Sequence, residues 1–159
     1  MSAHHHAIVD TAQAAIDPSD ALAFITDPEF GGYNVFIGRV RRVNHGREVI
    51  GISYDIFDAL AQVHFDEAIA RATHAFGPNI RIWLAHAKGR LAVGDVAVVV
   101  AVGTKHRDEA FRACRQLIEE VKHRSPIWKQ EHYVDGSSEW SEGCSLCEEH
   151  VHESGHDHA

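Results

Sequence analysis

The run of seven apolar residues at positions 96–102 is the feature that most constrains how this chain can fold. The run has the sequence VAVVVAV, so both faces of a strand built from it would be apolar. Such a strand has to be covered on both sides, as the internal strands of a sheet are. The run is also far shorter than the roughly 20 apolar residues that a membrane-spanning helix needs. It therefore predicts an internal strand in a globular domain.

Two long segments have the periodicity of amphipathic helices. Residues 58–76 and 107–124 carry apolar side chains three and four positions apart. Gly77-Pro78 follows the first segment and Ser125-Pro126 follows the second, and both pairs are typical helix stops. The buried stripe of the second helix is predicted to consist of Ala110, Phe111, Cys114, Leu117, Ile118 and Val121.

Alternating or continuous apolar patterns predict the strands. They lie at residues 8–14, 31–40, 48–57, 80–86, 95–102 and 127–134. A short helix with Asp17 as its N-cap and Pro18 at its first position follows the first strand. The polar turn Asn44-His45-Gly46 predicts a hairpin between the second and third strands. Because the strands occur in blocks, the predicted class is α+β, with a mixed sheet, two long helices and a hairpin subdomain.

Charge is distributed unevenly between the body of the chain and its end. The chain has 15 Lys and Arg, 23 Asp and Glu, and a formal net charge of -8. Six of the acidic residues lie after Gly136, where Lys and Arg are absent from the sequence. The nearly balanced body excludes non-specific nucleic-acid binding, which needs a basic surface. We therefore predict one domain at residues 1–136 and an acidic, poorly ordered tail at residues 137–159.

No cofactor is predicted, and the cysteine and histidine residues of the chain are given no catalytic redox role. Three Cys are too few for a disulfide scaffold, and the start lacks the layout of a signal peptide, so a cytoplasmic location is expected.

The run His4-His5-His6 is compatible with a tag remnant or a native terminus and is given no role. No metal is predicted, and the histidine-rich end is expected to bind metal adventitiously at most. The alternative is a zinc site with the ligand spacing of Cys144, Cys147, His150 and His152.

Basic residues occur in three clusters at the predicted ends of strands and helices. The clusters are Arg39 with Arg41, Lys105-His106-Arg107, and Lys122 with Lys129. Such ends are where binding sites are usually built, and the free N–H groups of a helix start favour an anion. A helical wheel places Lys122 about 60° from the centre of the buried stripe, at its rim. Each of these residues by itself is also compatible with an ordinary solvated cation.

Three motifs, taken together and in order, resemble the large subunit of molybdopterin synthase. They are Phe36-Ile37-Gly38-Arg39-Val40-Arg41, then Lys105-His106-Arg107 with Ala110-Phe111 and Cys114, then Lys122 with Ser125-Pro126-Ile127-Trp128-Lys129-Gln130-Glu131. The resemblance covers residues 30–136 and identifies the predicted domain as the catalytic domain of that family. It implies an α/β hammerhead fold and a homodimer at the core of a heterotetramer, with a small ubiquitin-like subunit at each end.

The resemblance also implies a reaction and a set of site residues. The small subunit places its C-terminal thiocarboxylate in a pocket of the large one, and its sulfur passes to cyclic pyranopterin monophosphate to form the molybdopterin dithiolene. Neither nucleic acid nor a membrane is implied as a partner. Lys122 and Lys129 are implied to be catalytic, one stabilising charge and the other exchanging a proton, in an order that the sequence leaves open. The implied substrate-binding residues are Arg39, Val40, Arg41, His106, Arg107, Lys122, Lys129, Gln130 and Glu131.

The charge of these residues agrees with the implied reaction. A cyclic phosphate and a thiocarboxylate are both anions, so bringing them together requires cations that offset their repulsion. Two alternatives stay open. One is a non-catalytic homologue that acts as a partner-binding scaffold, although a scaffold has no need for Lys122, Lys129, Arg41 and Arg107 together. The other is a phosphate-binding enzyme of unrelated chemistry.

Overall fold

The computed structural model describes residues 3–141. Three helices and eight strands follow one another along this part of the chain, and two of the helices are long. Within the described range, no helix is long and apolar enough to cross a membrane. The elements are β1 (His4–Asp10), α1 (Pro18–Ile25), β2 (Gly32–Arg39), β3 (Val43–Asn44), β4 (Arg47–Ile56), α2 (Asp58–Phe76), β5 (Arg81–Ala92), β6 (Val96–Thr104), α3 (Arg107–Arg124), β7 (Ile127–Tyr133) and β8 (Ser138–Ser141).

The strands form one mixed sheet in the order β2-β6-β5-β4-β7-β8. The neighbours along this path are antiparallel, while β1 pairs in parallel with the first part of β5. The second part of β5 pairs with β4, so β5 joins the two halves of the sheet. The apolar strand β6 lies between β2 and β5, which confirms the prediction of an internal strand. The α+β class and the mixed sheet are also confirmed.

Local signals in the sequence explain where the helices begin and end. The Asp17 carboxylate accepts a hydrogen bond of 2.9 Å from the Ser19 N–H group and caps α1. Helix α2 ends at Gly77, whose φ of 106° only glycine adopts easily. Helix α3 ends at Ser125 because a residue before proline avoids helical backbone angles. The predicted bounds of both long helices are confirmed.

Helices cover both faces of the first half of the sheet. A Cβ atom on Gly32 would meet Arg107 of α3 at 2.9 Å, whereas one on Gly103 would meet the carbonyl of Ile25 in α1 at 2.6 Å. Thr104, the neighbour of Gly103, pairs with Gly32, and neighbouring residues of a strand point to opposite faces. Helices α3 and α1 therefore lie on opposite faces. The core is formed between these layers, with Phe65 and Leu117 fully buried.

Two predictions about strands are wrong. The first strand begins at His4 rather than residue 8, because His6 contacts Asp66 of α2 at 2.6 Å and His5 stacks on Trp83 at 5.6 Å. The predicted hairpin does not form between the second and third predicted strands, since β2 pairs with β6. Only the two residues of β3 form a hairpin with β4, and the positive φ angles of His45 and Gly46 close it.

The burial predicted for Phe111 is also wrong. Phe111 is 61% exposed, because the residues of α3 that face the sheet are centred on Ala113, Cys114 and Leu117. Ile50 is 50% exposed because a bulge between Val49 and Gly51 interrupts the alternation of β4.

The chain continues in the sheet beyond the predicted domain boundary at Gly136. Ser138–Ser141 forms β8 and pairs with β7, so the prediction of poor order is wrong for these four residues. The rest of the predicted tail, including Cys144, Cys147, His150 and His152, lies outside the described residues. Within residues 3–141, no three His, Cys, Asp or Glu side chains are grouped so that they could hold a metal ion.

Candidate active site

A cavity of about 310 Å³ lies where the end of α3 meets the second half of the sheet. Strands β2, β4, β6 and β7 contribute its walls, and the short β3 closes one side. Four basic side chains and one carboxylate face it, so its charge favours an anionic ligand. The lining residues are Phe36, Gly38, Arg39, Arg41, Asn44, Val49, Ile52, Tyr54, Ala97, Val98, Lys122, Lys129 and Glu131.

Arg39 and Arg41 reach the cavity from the end of β2. A register shift between Gly38 and Arg39 bends the strand at this point. The Arg39 Nη1 atom then donates to the Gly94 carbonyl at 2.7 Å, and the Arg41 Nη2 atom donates to the Asn44 side chain at 3.3 Å. Both guanidinium groups are therefore oriented by a neutral acceptor and keep further N–H donors for a ligand.

Lys122 enters the cavity from the last turn of α3. Its ammonium lies 5.6 Å from the centre of the Tyr54 ring, a distance that permits a cation–π contact. Burial, together with the neighbouring charge of Lys129, lowers the pKa of Lys122 to about 8. An amine with this pKa exchanges its proton near neutral pH.

His86 lies behind Tyr54 and is fully buried. Its ring packs edge-on against the Tyr54 ring at 4.9 Å, and its Nδ1 atom lies 2.8 Å from the Ala87 carbonyl. Burial and the charge of Lys122 lower the pKa of His86 to about 3, so the imidazole is neutral. Burial likewise raises the pKa of Tyr54 to about 12, and the charge of Glu131 adds to this shift. The Lys122 ammonium therefore faces the neutral Tyr54 ring, and the neutral His86 ring lies behind it.

Lys129 and Glu131 face the cavity from β7 and are both 7% exposed. The Lys129 ammonium lies 3.4 Å from Glu131 Oε1, while Glu131 Oε2 accepts hydrogen bonds of 2.5 Å from both Asn44 and Tyr133. Burial alone would raise the pKa of Glu131, but these hydrogen bonds and the charge of Lys129 outweigh it and lower the pKa. The carboxylate is thus ionised and fully paired.

The structure brings together five of the predicted site residues. They are Arg39, Arg41, Lys122, Lys129 and Glu131. Val40 lies next to them but is buried, and its backbone pairs with Gly94 and Asp95. Gln130 points to the other face of the sheet, where it donates to the Ser138 hydroxyl at 2.9 Å, because side chains alternate along β7.

His106 and Arg107 lie at the opposite end of α3 from Lys122. Arg107 and Lys122 are 15 positions apart in sequence, which corresponds to about 22 Å along a helix. His106 precedes the first turn, its carbonyl accepting a hydrogen bond of 2.6 Å from Thr104, and both side chains are exposed. Within one chain these two residues therefore belong to a different surface from the cavity.

The sequence did not single out Asn44, Tyr54, His86 and Tyr133 as site residues. Tyr54 was placed in an alternating strand and Asn44 in a polar turn, so both received ordinary structural interpretations. The position of Asn44 just before the tight turn could have indicated a fixed side chain, because a two-residue hairpin turn restricts the residue before it. The contact between Tyr133 and Glu131 could have been suspected from their spacing of two along a strand.

Comparisons with known proteins agree with this geometry. A family model described as MoaE protein matches residues 11–124. The molybdopterin synthase catalytic subunit of Synechococcus elongatus is 46% identical over 141 residues, which make up 89% of this chain and 86% of that protein. The chain belongs to the MoaE family. The resemblance inferred from the three motifs is thereby confirmed.

Solved structures related to the MoaE family have the same fold. Molybdopterin synthase from Staphylococcus aureus matches with a TM-score of 0.77 and 28% identity, over 84% of this chain and 94% of that chain. A complex of subunits 1 and 2 of molybdopterin-converting factor from Helicobacter pylori matches with a TM-score of 0.64 over 88% of this chain. At 24% identity, that second similarity concerns the fold alone.

Proposed function

We propose that this chain is the catalytic subunit of a molybdopterin synthase. In this proposal it transfers sulfur from the C-terminal thiocarboxylate of a small ubiquitin-like subunit to cyclic pyranopterin monophosphate. The observation that carries the proposal is the cavity in which Lys122 and Lys129 face Arg39 and Arg41. Membership of the MoaE family supports it, since the relatives in that family are molybdopterin synthase catalytic subunits.

The environment of each basic side chain supports a distinct role. The two arginines offer planar pairs of N–H donors that suit the oxygens of a phosphate. Lys129, which is ion-paired with Glu131, acts as a fixed cation for the charge that builds on the acyl oxygen as sulfur leaves. Lys122 has the pKa of about 8 that proton exchange near neutral pH requires. The sequence left the order of these two roles open.

The proposed partner is a thiocarboxylated small subunit. The Helicobacter pylori structure is a complex of subunits 1 and 2 of molybdopterin-converting factor, and it is similar to this chain in fold. The cationic cavity supports the same partner, because a C-terminal thiocarboxylate is an anion on a narrow peptide. A cytoplasmic location belongs to the same proposal and is tested by fractionation of the source cells.

Reconstitution tests the proposed function directly. The purified chain is mixed with a thiocarboxylated small subunit and cyclic pyranopterin monophosphate, and dithiolene formation is followed. Product formation together with the loss of the thiocarboxylate sulfur is the expected result. Binding of the small subunit without product would support the scaffold alternative. Binding of phosphate esters without any association with the small subunit would support an enzyme of unrelated chemistry.

A homodimer is part of the proposal, because it accounts for the position of His106 and Arg107. These residues lie far from the cavity of their own chain, so a second copy has to supply them if they contact the substrate. Strand β2 ends the sheet within the described range, and apolar side chains of β2 and α3 are exposed beside it. Phe36 is 41%, Ile37 39% and Phe111 61% exposed. Exposed apolar side chains along an unpaired sheet edge are typical of an interface.

Mixed dimers should restore activity if a second copy completes the site. A Lys122→Ala chain and an Arg107→Ala chain are each expected to be inactive alone. After unfolding and refolding together, about half of the dimers are mixed, and each mixed dimer has one intact site out of two. Turnover should then recover to about a quarter of wild type. A mixture that stays as inactive as its components would place His106 and Arg107 outside the site.

We propose that the chain divides after β8 into a catalytic domain and an acidic tail. A chain ending at Ser141 is expected to keep turnover within a few-fold of wild type, because the cavity residues all precede that point. A chain ending at Gly136 loses β8, which pairs with Lys129 and its neighbours, and is expected to be less stable. Turnover and metal content are measured for both. Loss of turnover in the Ser141 chain, with recovery of the full-length apo-protein by zinc, would contradict the division.

A further inference from the structure

The side-chain amide of Asn44 connects the two charged halves of the cavity. Its Oδ1 atom accepts from Arg41 Nη2 at 3.3 Å, and its Nδ2 atom donates to Glu131 Oε2 at 2.5 Å. Glu131 in turn contacts Lys129 through its other oxygen at 3.4 Å. A chain of polar contacts therefore runs from the arginine on one wall to the lysine on the other.

The backbone holds Asn44 in place for this connection. It belongs to the two-residue strand β3, where it pairs with Arg47, and the turn between them has φ angles of 49° and 74°. Arg47 is fixed in turn, since its guanidinium lies 3.5 Å above the Tyr133 ring. A tight turn with both ends anchored leaves the side chain at its start little freedom.

An amide is the side chain that suits this position. It offers an acceptor to a cation and a donor to an anion at the same time, which a carboxylate, a lysine or an apolar group cannot do. An aspartate of the same shape could still accept from Arg41 but would repel Glu131.

We propose that Asn44 is a positioning residue of the sulfur-transfer site, which couples the orientation of Arg41 to the ion pair between Glu131 and Lys129. This inference rests on the proposed function for its catalytic consequence. The groups that face Glu131 are Lys129 and Tyr133 of the same strand, Asn44 of β3 and Tyr54 of β4, with Lys122 in the same cavity. Asn44 is the one through which Arg41 is connected to the carboxylate.

The test compares Asn44→Asp and Asn44→Ser with a control, Asn79→Asp, in the full-length protein. Asn79 is exposed in the loop before β5 and lines a different cavity, so the control adds the same charge far from the site. The titration of the Glu131 carboxyl carbon is followed by NMR in each protein. The pKa of Glu131 is expected to rise in Asn44→Asp, because the variant replaces a hydrogen-bond donor with a second carboxylate. Asn44→Ser should show a smaller rise and Asn79→Asp none.

Turnover provides the second measurement. In Asn44→Asp, the pH below which turnover falls should move to a higher value. Turnover should be about tenfold lower and KM for the pterin about tenfold higher than in the wild type. Asn44→Ser should show smaller changes in turnover and in KM than Asn44→Asp. An unchanged Glu131 titration in Asn44→Asp would overturn the coupling, and a changed titration with unaltered turnover would overturn the positioning role. If the wild-type protein transfers no sulfur, the proposed function fails, and the titration still decides the coupling.

Discussion

Replacing Lys122 with alanine is expected to reduce sulfur transfer by about a hundredfold to a thousandfold, because the group that exchanges a proton is lost. The side chain projects from the last turn of α3 into the cavity, so its truncation removes a reacting cation and little core volume. The fold should persist, with an unchanged circular dichroism spectrum and a thermal midpoint close to that of wild type. Single-turnover measurements with the thiocarboxylated partner give the rate.

Two further variants show whether the loss is specific to Lys122. Arg115→Ala removes a cation from the same helix at a side chain that is 80% exposed, and it should leave turnover unchanged. In the wild type, the ammonium form of Lys122 is lost as pH rises through about 8, so turnover should decline above that pH. Lys122→Arg should stay nearly as slow as Lys122→Ala, because an arginine keeps the charge but does not release its proton near neutral pH. Wild-type turnover in purified Lys122→Ala would show that the charge of this lysine has no role in the reaction.

Replacing Lys129 with methionine is expected to reduce turnover by about a hundredfold and to destabilise the protein as well. The side chains of Lys129 and Glu131 are each 9% exposed, so the variant leaves a buried carboxylate without its cation. Leaving a buried charge unpaired lowers the free energy of unfolding by roughly 3 to 5 kcal/mol. We expect a loss of about 3 kcal/mol, because Asn44 and Tyr133 still donate hydrogen bonds to Glu131. Urea unfolding measures the loss of stability.

A double variant separates the structural part of this effect from the catalytic part. Lys129→Met combined with Glu131→Gln removes both charges, and most of the lost stability should return. Turnover should stay low, because the cation that faces the acyl oxygen is still missing. Recovery of turnover along with stability would mean that Lys129 serves the fold and that the reaction does not need its charge.

The helices show how much of the fold a local signal can predict. Helices α2 and α3 have the predicted bounds, because periodicity, Gly77 and Pro126 act within a few residues of the backbone that they shape. Lys122 was correctly placed at the rim of the buried stripe of α3 for the same reason. Phe111 was wrongly placed within that stripe, since the sequence shows which residues are apolar but not which of them the sheet covers.

The strands show where local signals end. Most of their positions were predicted, yet β2 pairs with β6 instead of β4, and the residues that pair are more than 50 positions apart in sequence. Pairing of this kind depends on contacts that no short window contains. The packing of the histidine strand β1 against α2 and β5 is another such contact, because Asp66 and Trp83 are remote from it along the chain.

For the site, the sequence by itself determined which side chains carry charge and that Lys122, Lys129, Arg39 and Arg41 belong to a family pattern. Only the tertiary structure decided which of them meet. It placed Glu131 and Asn44 between the cations, turned Gln130 to the other face, and put His106 and Arg107 at the far end of α3. The reason is physical: charge is a property of one residue, whereas a pKa near 8 at Lys122 requires burial and a second cation. Both are supplied by strands that the fold brings together.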